Sequence, residues 1–311
     1  QLESAACATA CAARDAETVG RAQLLTDMGA STSGAGCRRI IIDGVEGLAG
    51  ATHAGSPDRV EAGTYMIAAA VTDGEVEVEG INPLHLEIFI SKLRAIGVDI
   101  KEFDDHVSCK GDGEYSSTDI ATLPHPGFPT DLQAPTIVLL SLATGHSIVT
   151  ENVFENRLGF VNELNRLGAN VQTSGHHAVV HGQSRLGSTI VECPDLRAGA
   201  GLVLAGLAAS GVTEVRHIGH IDRGYENFEQ KLQALGADIQ RVATNNHAPF
   251  APPFHQVVRT SPPHPLPCCP ALRSHLPAAL TFSPPPPAGT QAPNTRPAAN
   301  VRRPPLPASH R

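Results

Sequence analysis

The 311-residue sequence has no long apolar run, no surplus of base over acid and no regular cysteine spacing. Each absence removes a class of protein. A membrane-spanning helix needs about 20 consecutive apolar residues, and runs such as Ile137–Ala143 fall far short. Nucleic-acid binding draws on clustered Lys and Arg, whereas the formal net charge here is −8. The seven cysteines (7, 11, 37, 109, 193, 268 and 269) form no CxxC pair. Free thiols in a reducing compartment are therefore expected, rather than disulfides or zinc. The N-terminus, QLESAACATA, lacks an initiating Met, a basic segment and a long apolar stretch. No signal peptide is visible in it, a pattern that an internal start shares.

Two further scarcities divide the chain. Only seven of its 25 prolines lie in residues 1–242, and residues 243–311 contain no Asp or Glu. All 31 acids and 17 of the 23 bases therefore fall in the first 242 residues, a formal charge of −14, against +6 for the rest. The final segment includes SPPHPLPCCP, SPPPPAGT and RRPPLP. Proline supplies no amide donor and biases its predecessor away from helix, and the apolar residues there are too scattered to bury a core. Residues 243–311 are expected to be a disordered, Pro-rich tail. RRPPLPASH could serve an SH3-like partner, but an unstructured extension is the better reading. The five tail histidines and Cys268–Cys269 have no ligand spacing.

What is present is a repeat. LLTDMGA (24–30), KLRAIGVDI (92–100), ELNRLGANV (163–171) and KLQALGADI (231–239) place glycines at 29, 97, 168 and 236, separated by 68, 71 and 68 residues. Each reads as an amphipathic helix closed by Gly at the position that tolerates left-handed backbone. Upstream in the last three units stand DRVEAGTYMIAAAV (58–71), DLQAPTIVLLSLATG (131–145) and DLRAGAGLVLAGLAASG (195–211). These are apolar nearly all round, which argues for burial on every side. With strands such as EVEVEG (75–80), SIVTENV (147–153) and TEVRHI (213–218) between them, each unit is a βαβαββ repeat. Length alone suggests two domains. The pattern assigns three units to an α/β domain at 58–242 and half a unit, helix Glu17–Met28 and its strands, to 1–57. Half a unit cannot bury its own apolar face, so the chain reads as the C-terminal part of a longer protein.

Each buried helix opens with an aspartate: Asp58, Asp131 or Asp195. Taken one at a time, capping is the better explanation for these, since Asp suits a helix N-terminus. Taken together, three equivalent helices can aim their amides and dipoles at one face. Arg59, Arg157, Arg197 and Arg223 would add bidentate anion recognition there.

The residues that carry chemistry also carry a resemblance. AARDAETV (12–19), PDRVEAGTYMIAAAV, PHPGFPTDLQA, VFENR (153–157), DLRAGAGLVLAG and HIDRGYE (220–226) resemble the UDP-N-acetylglucosamine enolpyruvyl transferase family, in one order over nearly all of residues 11–242. The resemblance implies an inside-out α/β barrel of βαβαββ repeats, here incomplete at the N-terminus, with 1–57 a remnant of the family's first domain and 58–242 its second. It implies transfer of the enolpyruvyl group of phosphoenolpyruvate to the 3-hydroxyl of UDP-N-acetylglucosamine, by addition and elimination, with release of phosphate.

Residue by residue, Asp131 matches an aspartate at the sugar hydroxyl for which general-base work is proposed. Val153 matches a backbone contact to the sugar nucleotide. Arg197 and Arg223 match arginines that hold phosphoenolpyruvate, Asp195 an acid that orients them, and Arg157 an arginine near the site. No cofactor and no metal are implied, and a cytoplasmic monomer is expected (plastidic if the source is a plant or alga). The family's proton-donor loop, its lysine contact to phosphoenolpyruvate and further arginines have no counterpart here, and Cys7 and Cys11 do not fit that loop. Two alternatives stand beside this reading. One is a non-catalytic remnant that at most binds the sugar nucleotide. The other is the related 3-phosphoshikimate branch, from which FPTDLQ, VFENR and HIDRGYE point away.

Overall fold

A computed structural model describes residues 7–244, 255–261 and 280–282. In chain order its elements are β1 (Cys7–Ala10), α1 (Ala16–Asp27), β2 (Ser31–Ser33), β3 (Arg39–Asp43), β4 (Ala51–His53), α2 (Arg59–Val71), β5 (Glu75–Glu79) and α3 (Glu87–Ile96). There follow β6 (Asp99–Glu102), β7 (His106–Lys110), β8 (Ile120–Ala121), α4 (Gln133–Leu142), β9 (His146–Thr150), α5 (Val161–Arg166), β10 (Asn170–Ser174) and β11 (His177–His181). The last elements are β12 (Ile190–Glu192), α6 (Leu196–Ala208), β13 (Thr213–Arg216), α7 (Phe228–Ala234), β14 (Asp238–Thr244), β15 (His255–Ser261) and β16 (Leu280–Phe282).

The repeat read from the glycines is a repeat of topology. Two sheets run β8-β9-β11-β10 and β12-β13-β15-β14, and in each the first pair is parallel and the others antiparallel. These are two complete βαβαββ units. The sheet of the unit before them runs β5-β7-β6, and the N-terminal one β1-β3-β2, the same order without the leading strand. The strand that would lead the first of these, β4, pairs instead with β16. The glycines that close the four amphipathic helices all have positive φ, between 98° and 118°, where a side chain would be strained.

One stretch of the segment expected to be a disordered tail belongs to a sheet. HQVVRTS is β15, lying between β13 and β14 in antiparallel register. It contains no proline, and its β-branched residues suit a strand, so the change in composition near residue 243 is not a structural boundary. Apart from β14, β15 and β16, the expectation for 243–311 lies outside the described residues.

The three apolar helices α2, α4 and α6 pack on one another at the centre. All but the first residue of α2 is buried, as are most of α4 and α6. Small residues permit this closeness. A Cβ on Gly201 of α6 would stand 3.2 Å from the Ala134 backbone of α4, and one on Gly63 of α2 would be 2.5 Å from Leu132. The amphipathic α3 closes one side of this core, burying Phe89, Ile90, Leu93 and Ile96. Close packing at this density brings the N-terminal ends of three helices together, and the site lies there.

Candidate active site

The three leading aspartates do not behave alike. Asp58 caps α2, its Oδ1 accepting from the amides of Val60 and Glu61 at 2.8 and 3.0 Å. Asp195 caps α6 in the same way, accepting from Arg197 and Ala198 at 2.8 and 2.9 Å. Each carboxylate thus meets orphan amides at the positive end of a helix dipole. Asp131 makes no such bond. Two prolines precede it, and the chain enters α4 through a 3-10 turn, Thr130–Leu132, so the side chain swings clear of the helix amides.

Asp131 is held by arginine instead. Arg157 donates from Nη2 to Asp131 Oδ1 at 2.8 Å, and Arg197 Nε lies 3.6 Å from the same oxygen. Both arginines meet Oδ1, so Oδ2 is the oxygen left to face a ligand, and the side chain is 38% exposed. Arg157 lies over the Phe154 ring and Arg197 over that of Tyr225, at 5.0 and 5.2 Å to the ring centroids. Stacking fixes each planar guanidinium while leaving its edge to donate.

Arg197 Nη1 is buried and makes no hydrogen bond among the described residues. Burial disfavours the Arg197 cation, but Tyr225 and Asp131 more than offset this and keep its ionisation above the ordinary arginine value. The Tyr225 hydroxyl, which shares a 2.9 Å hydrogen bond with Thr64, is pushed up by burial and stays protonated. The result is a fixed cation with an unused donor beside a carboxylate with an unused oxygen. That pairing suits a ligand bearing both an anionic group and a hydroxyl.

The other expected residues fall around this cluster. Asp195 anchors the backbone of Arg197 through its capping bonds, so its carboxylate is already engaged. Arg223 ends the 3-10 turn Ile218–Arg223, where its Nη2 bonds His220 Nδ1 at 3.1 Å. That turn packs on α6, since a Cβ on the next residue, Gly224, would meet the Leu196 side chain at 2.8 Å. Val153 is exposed, and its amide donates to Glu151 Oε1 at 2.8 Å, which fixes its backbone in the loop. Arg59 is drawn away from the face by the N-terminal segment, pairing with Glu17 at 2.8 Å and Asp15 at 3.2 Å. Cys193 is buried beside Asp195, and burial pushes its thiol up to about 12, too high for a thiolate nucleophile.

Glu151 was missed by sequence reasoning. It is buried, accepts from the amides of Val153 and Phe154 at 2.8 and 3.0 Å, and takes the Thr130 hydroxyl at 2.8 Å on its other oxygen. One carboxylate therefore ties the loop carrying Asp131 to the loop carrying Val153 and Arg157. The available signal was an acid just past an alternating strand, two residues before VFENR.

A profile of the EPSP synthase family (3-phosphoshikimate 1-carboxyvinyltransferase) matches residues 5–232, and the chain belongs to that family. Within it, the chain is similar to proteins named UDP-N-acetylglucosamine 1-carboxyvinyltransferase. One is from Caldanaerobacter subterraneus subsp. tengcongensis, 50% identical over 230 residues, which are 74% of this chain and 55% of the relative. Another is from Carboxydothermus hydrogenoformans, 50% identical over 75% of this chain and 56% of the relative. Among solved structures, the enolpyruvyl transferase NikO from Streptomyces tendae matches with a TM-score of 0.67 and 26% identity, covering 75% of this chain and 56% of that one. The fold is thus that of the enolpyruvyl transferases. The chain spans about half the length of the curated relatives it matches.

Proposed function

We propose that this chain carries the part of a UDP-N-acetylglucosamine 1-carboxyvinyltransferase that presents Asp131, Arg157, Arg197 and Arg223 to the two substrates, phosphoenolpyruvate and UDP-N-acetylglucosamine. The observation that carries the reading is Asp131 itself. Of three equivalent aspartates, it alone is released from capping and clamped on one oxygen by arginines. In this reading Oδ2 accepts a hydrogen bond from the sugar 3-hydroxyl and withdraws its proton as the oxygen attacks C2 of phosphoenolpyruvate, while the C2=C3 electron pair takes a proton at C3 from a general acid that the described residues do not supply. Arg197, with Nη1 uncommitted among the described residues, and Arg223 neutralise the carboxylate and phosphate; loss of a C3 proton and of phosphate from the tetrahedral adduct then restores the double bond and gives the enolpyruvyl ether. Asp195 is a positioning residue that sets the start of α6. The Val153 carbonyl contacts the sugar nucleotide. Residues 1–57 belong to a first domain and those from 58 to a second, which runs past residue 242 to take in β15, and the protein is a cytoplasmic monomer acting in peptidoglycan synthesis.

The family profile bears the 3-phosphoshikimate name, so that acceptor is the competing reading. The test is a titration of the folded 311-residue chain with UDP-N-acetylglucosamine, with 3-phosphoshikimate and with phosphoenolpyruvate, alongside a phosphate-release assay. Binding of the UDP-sugar that is weakened at least tenfold in Asp131→Ala but not in Asp58→Ala supports the reading, with or without turnover. Preference for 3-phosphoshikimate, or no binding by a folded chain, overturns it.

A further inference from the structure

A second cluster, separate from the arginine site, lies on the outer face of the sheet β8-β9-β11-β10. In strands β9 and β11 alternate residues turn inward: Ser147 and Val149 on one, Ala178 and Val180 on the other, are buried. The outward set holds His146, Ile148 and Thr150 beside His177, Val179 and His181. Antiparallel register sets His146 directly opposite His181. Their rings meet edge to face, with centroids 4.9 Å apart, and their Nδ1 atoms are 3.2 Å from each other.

That separation has a chemical meaning. Two imidazole nitrogens bound to one zinc ion at about 2.0–2.1 Å, at a tetrahedral angle, stand roughly 3.3 Å apart. The pair is therefore spaced as two ligands of a single ion would be. His181 Nε2 supplies a second observation: it is buried and has no hydrogen-bond partner among the described residues, and the ring nitrogen that meets a partner is Nδ1. His146 is exposed and His181 partly so. Imidazole suits zinc, nickel and copper rather than the hard oxygen-seeking cations. Among the described residues no group of three or more His, Cys, Asp or Glu is placed to hold a metal ion, so water must complete the coordination.

We propose that His146 and His181 form a two-histidine surface site for a divalent transition ion of the zinc, nickel and copper class, bound through both Nδ1 atoms. Binding requires both rings to carry their proton on Nε2, so the ring that donates in the ion-free pair shifts its proton from Nδ1 to Nε2. The buried, unpartnered Nε2 of His181 gives it no outer hydrogen bond of the kind that steadies tight sites. The site is accordingly an exchangeable one.

The test is zinc titration of the chelator-stripped 311-residue chain, followed by imidazole nitrogen NMR. The expected result is that the Nδ1 signals of His146 and His181 shift together at one equivalent. In His146→Gln, a change at an exposed position, the His181 response should be lost and affinity for that equivalent should fall about tenfold or more. Shifts confined to other histidines or to cysteines, or a His181 response that survives in His146→Gln, would overturn the proposal.

Discussion

Residues 7–58 and residues 59–242 obey the same repeat but hold their apolar side chains very differently. Not one residue of 7–59 is buried, although α1, β2 and β3 have the topology of every later half unit. Val19, Ile42, Val45 and Leu48 are each at least 40% exposed. In the later units the corresponding strands and helices close over α2, α4 and α6. The lesson is that the amphipathic helix and its strand pair form only one wall, and the apolar helix is what they cover. An amphipathic half unit adds topology without a core. What ties residues 7–58 to the rest is polar: Arg59 with Asp15 and Glu17, and Arg14 donating to the His125 carbonyl at 3.2 Å.

This contrast can be broken by mutation. Phe89 is fully buried beside Phe128, so Phe89→Ala should cost about 3–5 kcal/mol in denaturant unfolding, while Val19→Ala should cost less than about 0.5 kcal/mol. A Val19 cost as large as that of Phe89 would mean that the N-terminal face is buried in solution.

Next in size is Lys231→Met. Lys231 meets the buried Glu61 at 2.6 Å, and removing it leaves a carboxylate without its partner, a loss of about 3 kcal/mol. Burial already holds Glu61 above the usual carboxylate range despite Lys231. The folded state therefore binds the proton more tightly than the unfolded chain, and stability falls as pH rises from the unfolded to the folded pKa. The Lys231→Met defect should accordingly shrink on acidification through that window, as thermal melts at several pH values would reveal. A defect that grew on acidification would contradict the assignment.

Glu151→Ala strands two amides and a hydroxyl. A stability loss of about 1–3 kcal/mol is expected, together with weaker UDP-N-acetylglucosamine binding. Glu151→Gln can accept from the amides and should recover most of both; equal binding losses in the two variants would deny Glu151 its positioning role. The smallest effect belongs to Glu17→Ala. Burial works to raise this carboxyl, but Arg59 outweighs it and holds the group low. Glu17 itself is 45% exposed, so the pair should contribute only a few tenths of a kcal/mol, and a larger change in melting temperature would mark the N-terminal segment as structurally integral.

Much of this organisation was legible in sequence because glycine spacing and all-apolar helices are strong local signals. The helix expected at Glu17–Met28 is α1, displaced by one residue, and the aspartate-led segments are the buried helices. Two features depended on information that is not local. β15 was hidden because seven strand-forming residues sit within a proline-rich context, and the partners that recruit them, β13 and β14, precede them by ten residues or more. At the site, helix pattern alone put Asp58, Asp131 and Asp195 on an equal footing, since each precedes an apolar helix, and only the family resemblance singled out Asp131. Their difference comes from the 3-10 turn before α4 and from Arg157, 26 residues away. Glu151 left only a weak signal for the same reason: its role lies in joining two loops, and no spacing rule announces that.

The most direct test of the central claim is amide hydrogen exchange on the 311-residue chain, with and without UDP-N-acetylglucosamine. The account predicts deep protection in α2, α4 and α6 and shallow protection in α1. It also predicts ligand-induced slowing at 128–132 and 153–157 that is absent in Asp131→Ala. Protection of α1 equal to that of α4, or slowing that persists in Asp131→Ala, would contradict it.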